Sequence, residues 1–120
     1  MSKDDYFVLA YKLLRYLYRC LKEGTPASWD IIAPNTENFP VSQQYFTYLI
    51  SHLLADGYIE GIVEMKAKAI GALVQFKETT GLAITPKGIA YLEENSTMKR
   101  VQEFLGPTGE IANMVISRFM

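Results

Sequence analysis

The stretch LLADGYIEGIV, residues 53–63, contains the transition that decides the fold. Its first half completes a helical pattern whose apolar residues recur at spacings of three and four: Phe46, Leu49, Ile50, Leu53 and Leu54. Gly57 can adopt the left-handed conformation that ends many helices. From Tyr58 onward the residues become β-branched and aromatic, which is typical of a strand. We therefore predict a helix over residues 42–56 that is followed directly by a strand over residues 58–63.

The sequence before this transition predicts one long helix and a proline-rich connection. Apolar residues spaced by three and four predict a helix over residues 5–23 with the following buried stripe: Phe7, Ala10, Leu14, Leu17 and Leu21. Gly24 and Pro26 end this helix. Prolines then interrupt residues 25–41, where Ser28 can cap a helix of one to two turns that stops before Pro34.

The sequence after the transition predicts a second strand and further helices. The strand is expected over residues 82–84, and the segment 64–80 stays open between a strand arm and a short helix. Thr85 caps the next helix, with Pro86 in its first position; residues 95–96 interrupt it, and Thr97 caps another that ends before Gly106. From residue 108 a last apolar stripe has helical spacing: Ile111, Met114, Val115 and Phe119. This apolar stripe must pack against its own domain or against another chain. In the second case we expect a homodimer through the C-terminal helices.

Composition limits the classes of function. The 120 residues suffice for one domain, with a core over about 5–101 and a C-terminal helical extension over about 102–120. A net charge of -1 is not what a dedicated nucleic-acid binder usually shows. One cysteine and one histidine argue against structural zinc, disulfides and thiol–histidine catalysis, and no cofactor is indicated. Cations interrupt the N-terminal apolar run, and no apolar stretch is long enough for a membrane helix, so we expect a cytoplasmic protein without a membrane segment.

The order of predicted elements is that of a winged helix-turn-helix domain. This α+β, mostly helical fold has a three-helix core and a wing of two or three strands, here with extra C-terminal helices. The run ITPKGIAYLEENSTM, residues 84–98, is similar to the closing helix of the YjcQ-like proteins, small winged-helix proteins of Gram-positive bacteria and their phages. The resemblance covers roughly residues 5–101. It implies the fold and a phage or prophage setting, but no catalytic residues, because no function is established for the family.

In a winged helix the helix over residues 42–56 would enter the major groove of DNA. Four of its polar residues lie opposite the leucines and could contact base edges: Gln43, Gln44, Thr47 and Ser51. The helix contains no lysine or arginine, however, and Asp56 adds a negative charge at its end. An ordinary solvated polar face is therefore an equally good interpretation.

Two groups of cations could contact phosphates. Lys12, Arg15, Arg19 and Lys22 repeat at helical spacing, and of these we assign Arg15 and Arg19 to DNA. Lys66 and Lys68 belong to the wing and could lie along the backbone of a duplex. A row of charges on a helix is more often its solvated outer side, and Glu64 and Glu78 reduce the charge of the wing.

The remaining polar and aromatic residues predict no enzyme. His52 lacks partners for metal binding, Cys20 and Trp29 are expected in the core, and Glu93 and Glu94 diverge on their helix. The eight tyrosines are spread over several helices, so no stacking platform for single strands is predicted. Two functions remain: a DNA-binding transcriptional regulator of phage or prophage type, or a protein-interaction or assembly module on the same fold that binds no DNA.

Overall fold

The computed structural model describes residues 1–65 and 74–106, and about half of these residues are helical. The elements follow one another as α1 (Tyr6–Glu23), α2 (Gln43–Ala55), β1 (Ile59–Met65), β2 (Gln75–Ile84), α3 (Pro86–Glu94) and α4 (Ser96–Leu105). The two strands form one antiparallel sheet in the described part of the chain. The predicted α+β class is confirmed.

Capping side chains begin α2 and α3 where the sequence predicts, but α4 begins at a different cap. The Ser42 hydroxyl accepts a hydrogen bond from the backbone N–H of Tyr45 at 3.2 Å, so α2 begins at the next residue. Thr85 does the same for α3, with Pro86 in its first position. The prediction that Thr97 caps the last helix is wrong. The Asn95 side chain accepts from two backbone N–H groups, at 2.9 and 3.2 Å, and α4 therefore begins at Ser96.

Helix α1 is the central element of the core, because α2, β2, α3 and α4 all pack against it. Residues around most of its circumference are buried, including Val8, Leu9 and Leu13, which the predicted stripe omitted. Ala10, Leu14 and Leu17 are buried as predicted. The prediction was wrong for Phe7 and Leu21, which are 46% and 53% exposed. Both lie near the ends of α1, beyond the elements that cover its middle.

Lys12 departs most clearly from the predicted exposed row of cations. Its side chain is buried, and its ammonium group donates a hydrogen bond to the backbone carbonyl of Asn38 at 2.9 Å. Burial lowers the pKa of the Lys12 ammonium, because the charged form loses its hydration. Lys12 thus fastens the loop before α2 to α1 and cannot contact a phosphate from this position.

The connection between α1 and α2 contains a hydrogen-bonded turn at residues 28–32, so the prediction of a helix of one to two turns is wrong. The Ser28 carbonyl accepts from the N–H groups of Ile31 and Ile32, and the Ser28 hydroxyl accepts from the N–H of Asp30. Ile32 and Phe39 are buried beneath this connection. The loop is therefore held by apolar anchors and by the Lys12 bond.

Strands β1 and β2 form a hairpin whose register changes in its middle. The sequence leaves residues 64–80 undecided between a strand and a short helix. In the structure β2 begins at Gln75, so residues 75–80 belong to a strand. Ile59 pairs with Ile84 and Ile62 with Glu78, and the register shifts between Glu60 and Ile62. One residue of β1 thus lies opposite several residues of β2, where the two backbones approach closely. The shift sets which hairpin side chains lie beside α2.

Candidate interaction surface

The exposed side of α2 presents the four polar residues that the sequence predicted for DNA contact. Gln43 and Gln44 are exposed, and Thr47 and Ser51 are half-buried. The opposite side of the helix is buried through Phe46, Leu49, Ile50 and Leu53. The structure thus brings these four predicted residues together, and we call Gln43, Gln44, Thr47 and Ser51 the α2 surface.

Two carboxylates of the hairpin lie beside the α2 surface. The Ser51 hydroxyl lies 3.5 Å from a Glu64 carboxylate oxygen, and the Trp29 indole N–H donates a hydrogen bond to Glu78. Between α2 and the hairpin, Gln43 and Thr47 line a cavity of about 470 Å³ with Trp29, Pro34 and Phe76, among others. A molecule that contacts this side of α2 therefore meets acidic and aromatic side chains.

The stretch of chain from the end of α1 to the end of β1 carries fixed charges of one sign. Residues 23–65 include the connection, α2 and β1 and contain no lysine or arginine. The same residues contain six carboxylates: Glu23, Asp30, Glu37, Asp56, Glu60 and Glu64. This stretch is therefore acidic, whereas β2 adds the exposed Lys77 to the hairpin.

Arg15 and Arg19 lie on a different side of α1 from the one that faces α2. Tyr6 precedes Arg15 by nine residues, which is half a rotation around a helix, and Tyr6 packs against Tyr48 of α2 with ring centroids 6.2 Å apart. Arg15 and Arg19 instead line a small cavity of about 100 Å³ with Tyr18 and Lys22. The structure therefore does not bring the arginines together with the α2 surface. Lys66 and Lys68 lie outside the described residues.

Aromatic side chains from two helices form a second feature, next to the α2 surface. Tyr6, Ser42, Gln44, Tyr45, Tyr48 and His52 line an open groove of about 620 Å³, which we call the aromatic groove. The Tyr48 and His52 rings lie with centroids 4.2 Å apart, and Tyr6 meets Tyr48 edge-on. The Tyr45 hydroxyl donates a hydrogen bond to the backbone carbonyl of Asp4 at 2.9 Å, which joins α2 to the N-terminus.

Carboxylates affect the tyrosines of the aromatic groove. Burial, together with the nearby charge of Asp56, raises the pKa of Tyr6 to about 12. Burial also raises the pKa of Tyr45, as do the charges of Asp4 and Asp5. Both effects disfavour the tyrosinate, because a negative charge would be poorly hydrated and would face other negative charges. The groove is therefore aromatic in its lining and acidic in its surroundings.

Sequence reasoning missed this groove. It treated the tyrosines as scattered, whereas the packing of α1 against α2 brings Tyr6, Tyr45 and Tyr48 together. The spacing of Gln44, Tyr48 and His52 by four residues was the available signal for one helix face. The contribution of Tyr6 depends on a tertiary contact that no local pattern contains.

Within residues 1–65 and 74–106, no three His, Cys, Asp or Glu side chains are grouped as a metal site would require. Cys20 is buried, as predicted, whereas His52 is exposed beside Tyr48. None of the helices in the described part of the chain combines the length and apolarity needed to cross a membrane. The predicted C-terminal apolar stripe, residues 108–120, lies outside the described residues.

Comparison with known proteins agrees with the resemblance noted in the closing helix. Neither the curated proteins nor the solved structures give a match. A family model, described as YjcQ protein, matches residues 11–106, from the second turn of α1 to the end of α4. The match covers well over half of the 120 residues. The chain therefore belongs to the YjcQ family.

Proposed function

We propose that this protein is a non-enzymatic protein-interaction module on a winged-helix arrangement. In this assignment α2 takes the position of the recognition helix, and the β1–β2 hairpin is the wing. The order of α1, α2, β1, β2 and α3 supports it, with the single turn at Ser28 in the place of the short middle helix. The phage or prophage setting implied by the family resemblance belongs to the same proposal.

The observation that carries this proposal is the position of the hairpin carboxylates. Glu64 lies beside Ser51 at the C-terminal end of the α2 surface, and Glu78 accepts a hydrogen bond from Trp29, which lines the cavity beside Thr47. A phosphate about 4 Å from one carboxylate is repelled by about 1 kcal/mol in water and about 4 kcal/mol near a protein surface. DNA-binding surfaces normally offset such repulsion with lysine and arginine. Residues 23–65 supply neither.

The α2 surface fits a protein partner better than a phosphate backbone. It combines amide and hydroxyl groups with nearby exposed aromatic surface, since Tyr48 is 56% exposed. Tyrosine and tryptophan side chains are enriched at protein interfaces, because each offers a large apolar area with one polar group. Trp29 at the cavity beside Thr47 adds a second aromatic group of this kind.

Two measurements test the proposal. A labelled generic DNA duplex is titrated with the protein and followed by fluorescence anisotropy, first at low and then at moderate salt. We expect no saturable binding, whereas binding that weakens steeply with salt would contradict the proposal. In parallel, a photoreactive amino acid replaces Thr47 on α2 or, as a matched control, Glu103 on α4. We expect a crosslink to another protein from position 47 but not from position 103. The same crosslink should form when that partner is supplied in purified form.

A DNA-binding transcriptional regulator is the second candidate, favoured by the exposure of the α2 surface. Gln43 and Gln44 could bond base edges from their exposed positions, with Lys66 and Lys68 on phosphates. Loss of duplex binding in Gln44→Ala and Lys66→Ala, with unchanged circular dichroism, would support this candidate. Wild-type affinity in both variants would reject these contacts.

An assembly role through the C-terminal residues has a separate test. Deletion of residues 108–120 should reduce the molar mass in solution from dimer to monomer if that segment joins two copies. A monomer before and after deletion would reject the homodimer and leave the proposal for α2 unchanged.

A further inference from the structure

The aromatic groove contains exposed ring surface on a rigid helical support. Tyr48 is 56% exposed and Phe7, which meets the edge of Tyr6 at 5.3 Å, is 46% exposed. The faces of aromatic rings carry partial negative charge and attract cations within about 6 Å of the ring centre. In the part of the chain that the structure describes, no lysine or arginine lines the groove.

Carboxylates flank the groove near two of its tyrosines. The Tyr45 hydroxyl donates a hydrogen bond to the backbone carbonyl of Asp4 at 2.9 Å, which places Asp4 at the groove; the charge of Asp56 also acts on the pKa of Tyr6. Asp4 and Asp56 are exposed, so a bound group could reach them without burying a carboxylate. Aromatic faces between acidic side chains are complementary to a flat cation and unfavourable to a phosphate.

We propose that the aromatic groove binds an arginine side chain presented by the protein partner. This inference rests on the proposed function and specifies the chemistry of its partner. A guanidinium group is planar, weakly hydrated and able to stack on Tyr48 while it donates hydrogen bonds in the plane of the group. The Gln44 carbonyl oxygen at the groove and the flanking carboxylates are acceptors for such bonds. An ammonium group holds its water more strongly and cannot stack, so lysine should bind less well.

The test uses the full-length protein and two short peptides. One is Ac-Gly-Arg-Gly-Arg-Gly-NH2, and the other contains citrulline in place of both arginines, which keeps the planar shape and removes the charge. Titrations at low salt are followed through the backbone amide shifts of the ¹⁵N-labelled protein. We expect shifts centred on residues 4–7 and 42–52, and an affinity for the arginine peptide about tenfold higher than for the citrulline peptide.

Three substitutions relate binding to the ring of Tyr48. Tyr48→Ala should weaken binding of the arginine peptide about fivefold or more, because it removes the stacking surface. Tyr48→Phe should bind within about twofold of the wild type, since the ring face is retained. Phe104→Ala removes an aromatic ring that is 45% exposed on α4 and should leave the affinity unchanged. Unfolding measurements on each variant establish that the fold is intact.

The outcomes separate this inference from the proposed function. Equal affinity for the two peptides, no binding of the arginine peptide, or wild-type affinity in Tyr48→Ala would each overturn the arginine site. A specific protein crosslink from position 47 would then still support the proposed function. Salt-sensitive binding of the DNA duplex would overturn the proposed function, whatever the peptides do.

Discussion

Alanine at Gly61 should distort the hairpin that positions the carboxylates beside α2. Gly61 of β1 has a φ of +89°, and Gly81 of β2 has a φ of +95°. A Cβ atom on Gly61 would overlap the carbonyl oxygen of Gly81 and lie 2.6 Å from its carbonyl carbon. A Cβ atom on Gly81 would meet nothing within 4 Å. The two glycines therefore provide a matched pair, in which both variants are strained at φ and one is also obstructed.

The expected destabilisation follows from these two terms. A non-glycine residue in the left-handed region costs about 1–2 kcal/mol, and this applies to Gly61→Ala and Gly81→Ala alike. Overpacking adds about 1–3 kcal/mol for Gly61→Ala alone. The obstructing atoms belong to the backbone of Gly81, so no side-chain rotation can relieve them. We expect Gly81→Ala to lose about 1–2 kcal/mol of unfolding free energy and Gly61→Ala about 2–5 kcal/mol.

Urea and thermal unfolding of both variants, followed by circular dichroism, measure these losses. One kcal/mol corresponds to roughly 4 °C for a chain of this length, so the Tm of Gly61→Ala should lie roughly 4–12 °C below that of Gly81→Ala. Equal Tm values for the two variants would refute the close approach of the strands at these glycines. The register that brings Glu64 to Ser51 would then need to be redrawn.

Three further predictions concern buried and capping side chains. Because burial lowers the pKa of Lys12, the unfolded state binds more protons than the folded state just below pH 10.5. The unfolding free energy of the wild type, measured in urea, should therefore rise relative to that of Lys12→Met as the pH approaches 10.5. A difference in unfolding free energy that stays constant with pH would contradict the burial of Lys12. Asn95→Ala should lower the unfolding free energy measured in urea by about 1 kcal/mol, because two backbone N–H groups lose their acceptor. Ser96→Ala, at an exposed position, is the control, and an equal loss there would reject the cap. The Tyr6 pKa of about 12 lies above its ordinary value of 10.0, so the unfolded state loses this proton at lower pH and the unfolding free energy falls between those pH values. The fall should be shallower for Tyr6→Phe. If ultraviolet absorbance of the folded protein showed Tyr6 ionised at pH 10, the prediction would be contradicted.

The helices could be predicted from the sequence because their signals are local. Ser42 and Thr85 cap their helices through bonds that span three residues, and Gly57 ends α2 with a φ of +80°. Such bonds form whatever the rest of the chain does. The error at Asn95 is of the same local kind, because Asn95 and Thr97, two residues apart, both have capping side chains and compete for one helix start.

The burial of α1 and the aromatic groove could not be predicted, because both depend on elements distant in sequence. The sequence predicts that Lys12 is a surface cation, but its ammonium group donates a hydrogen bond to the backbone carbonyl of Asn38, 26 residues away. Tyr6 looks like a boundary residue until α2 brings Tyr48 against it. An amphipathic pattern assumes that a helix is covered on one side, whereas α1 is covered on most sides.

The separation of charge explains why the net charge did not decide between DNA and protein as the partner. The net charge of -1 is the sum of positive and negative charges that lie in different parts of the chain. Residues 23–65 contain only carboxylates among their permanently charged side chains, whereas Arg15 and Arg19 lie on the side of α1 turned away from α2. A rigid duplex on the α2 surface could not also reach the arginines, so they cannot compensate Glu64 and Glu78 there. The carboxylates of residues 23–65 therefore support the proposed protein partner over a phosphate backbone at α2.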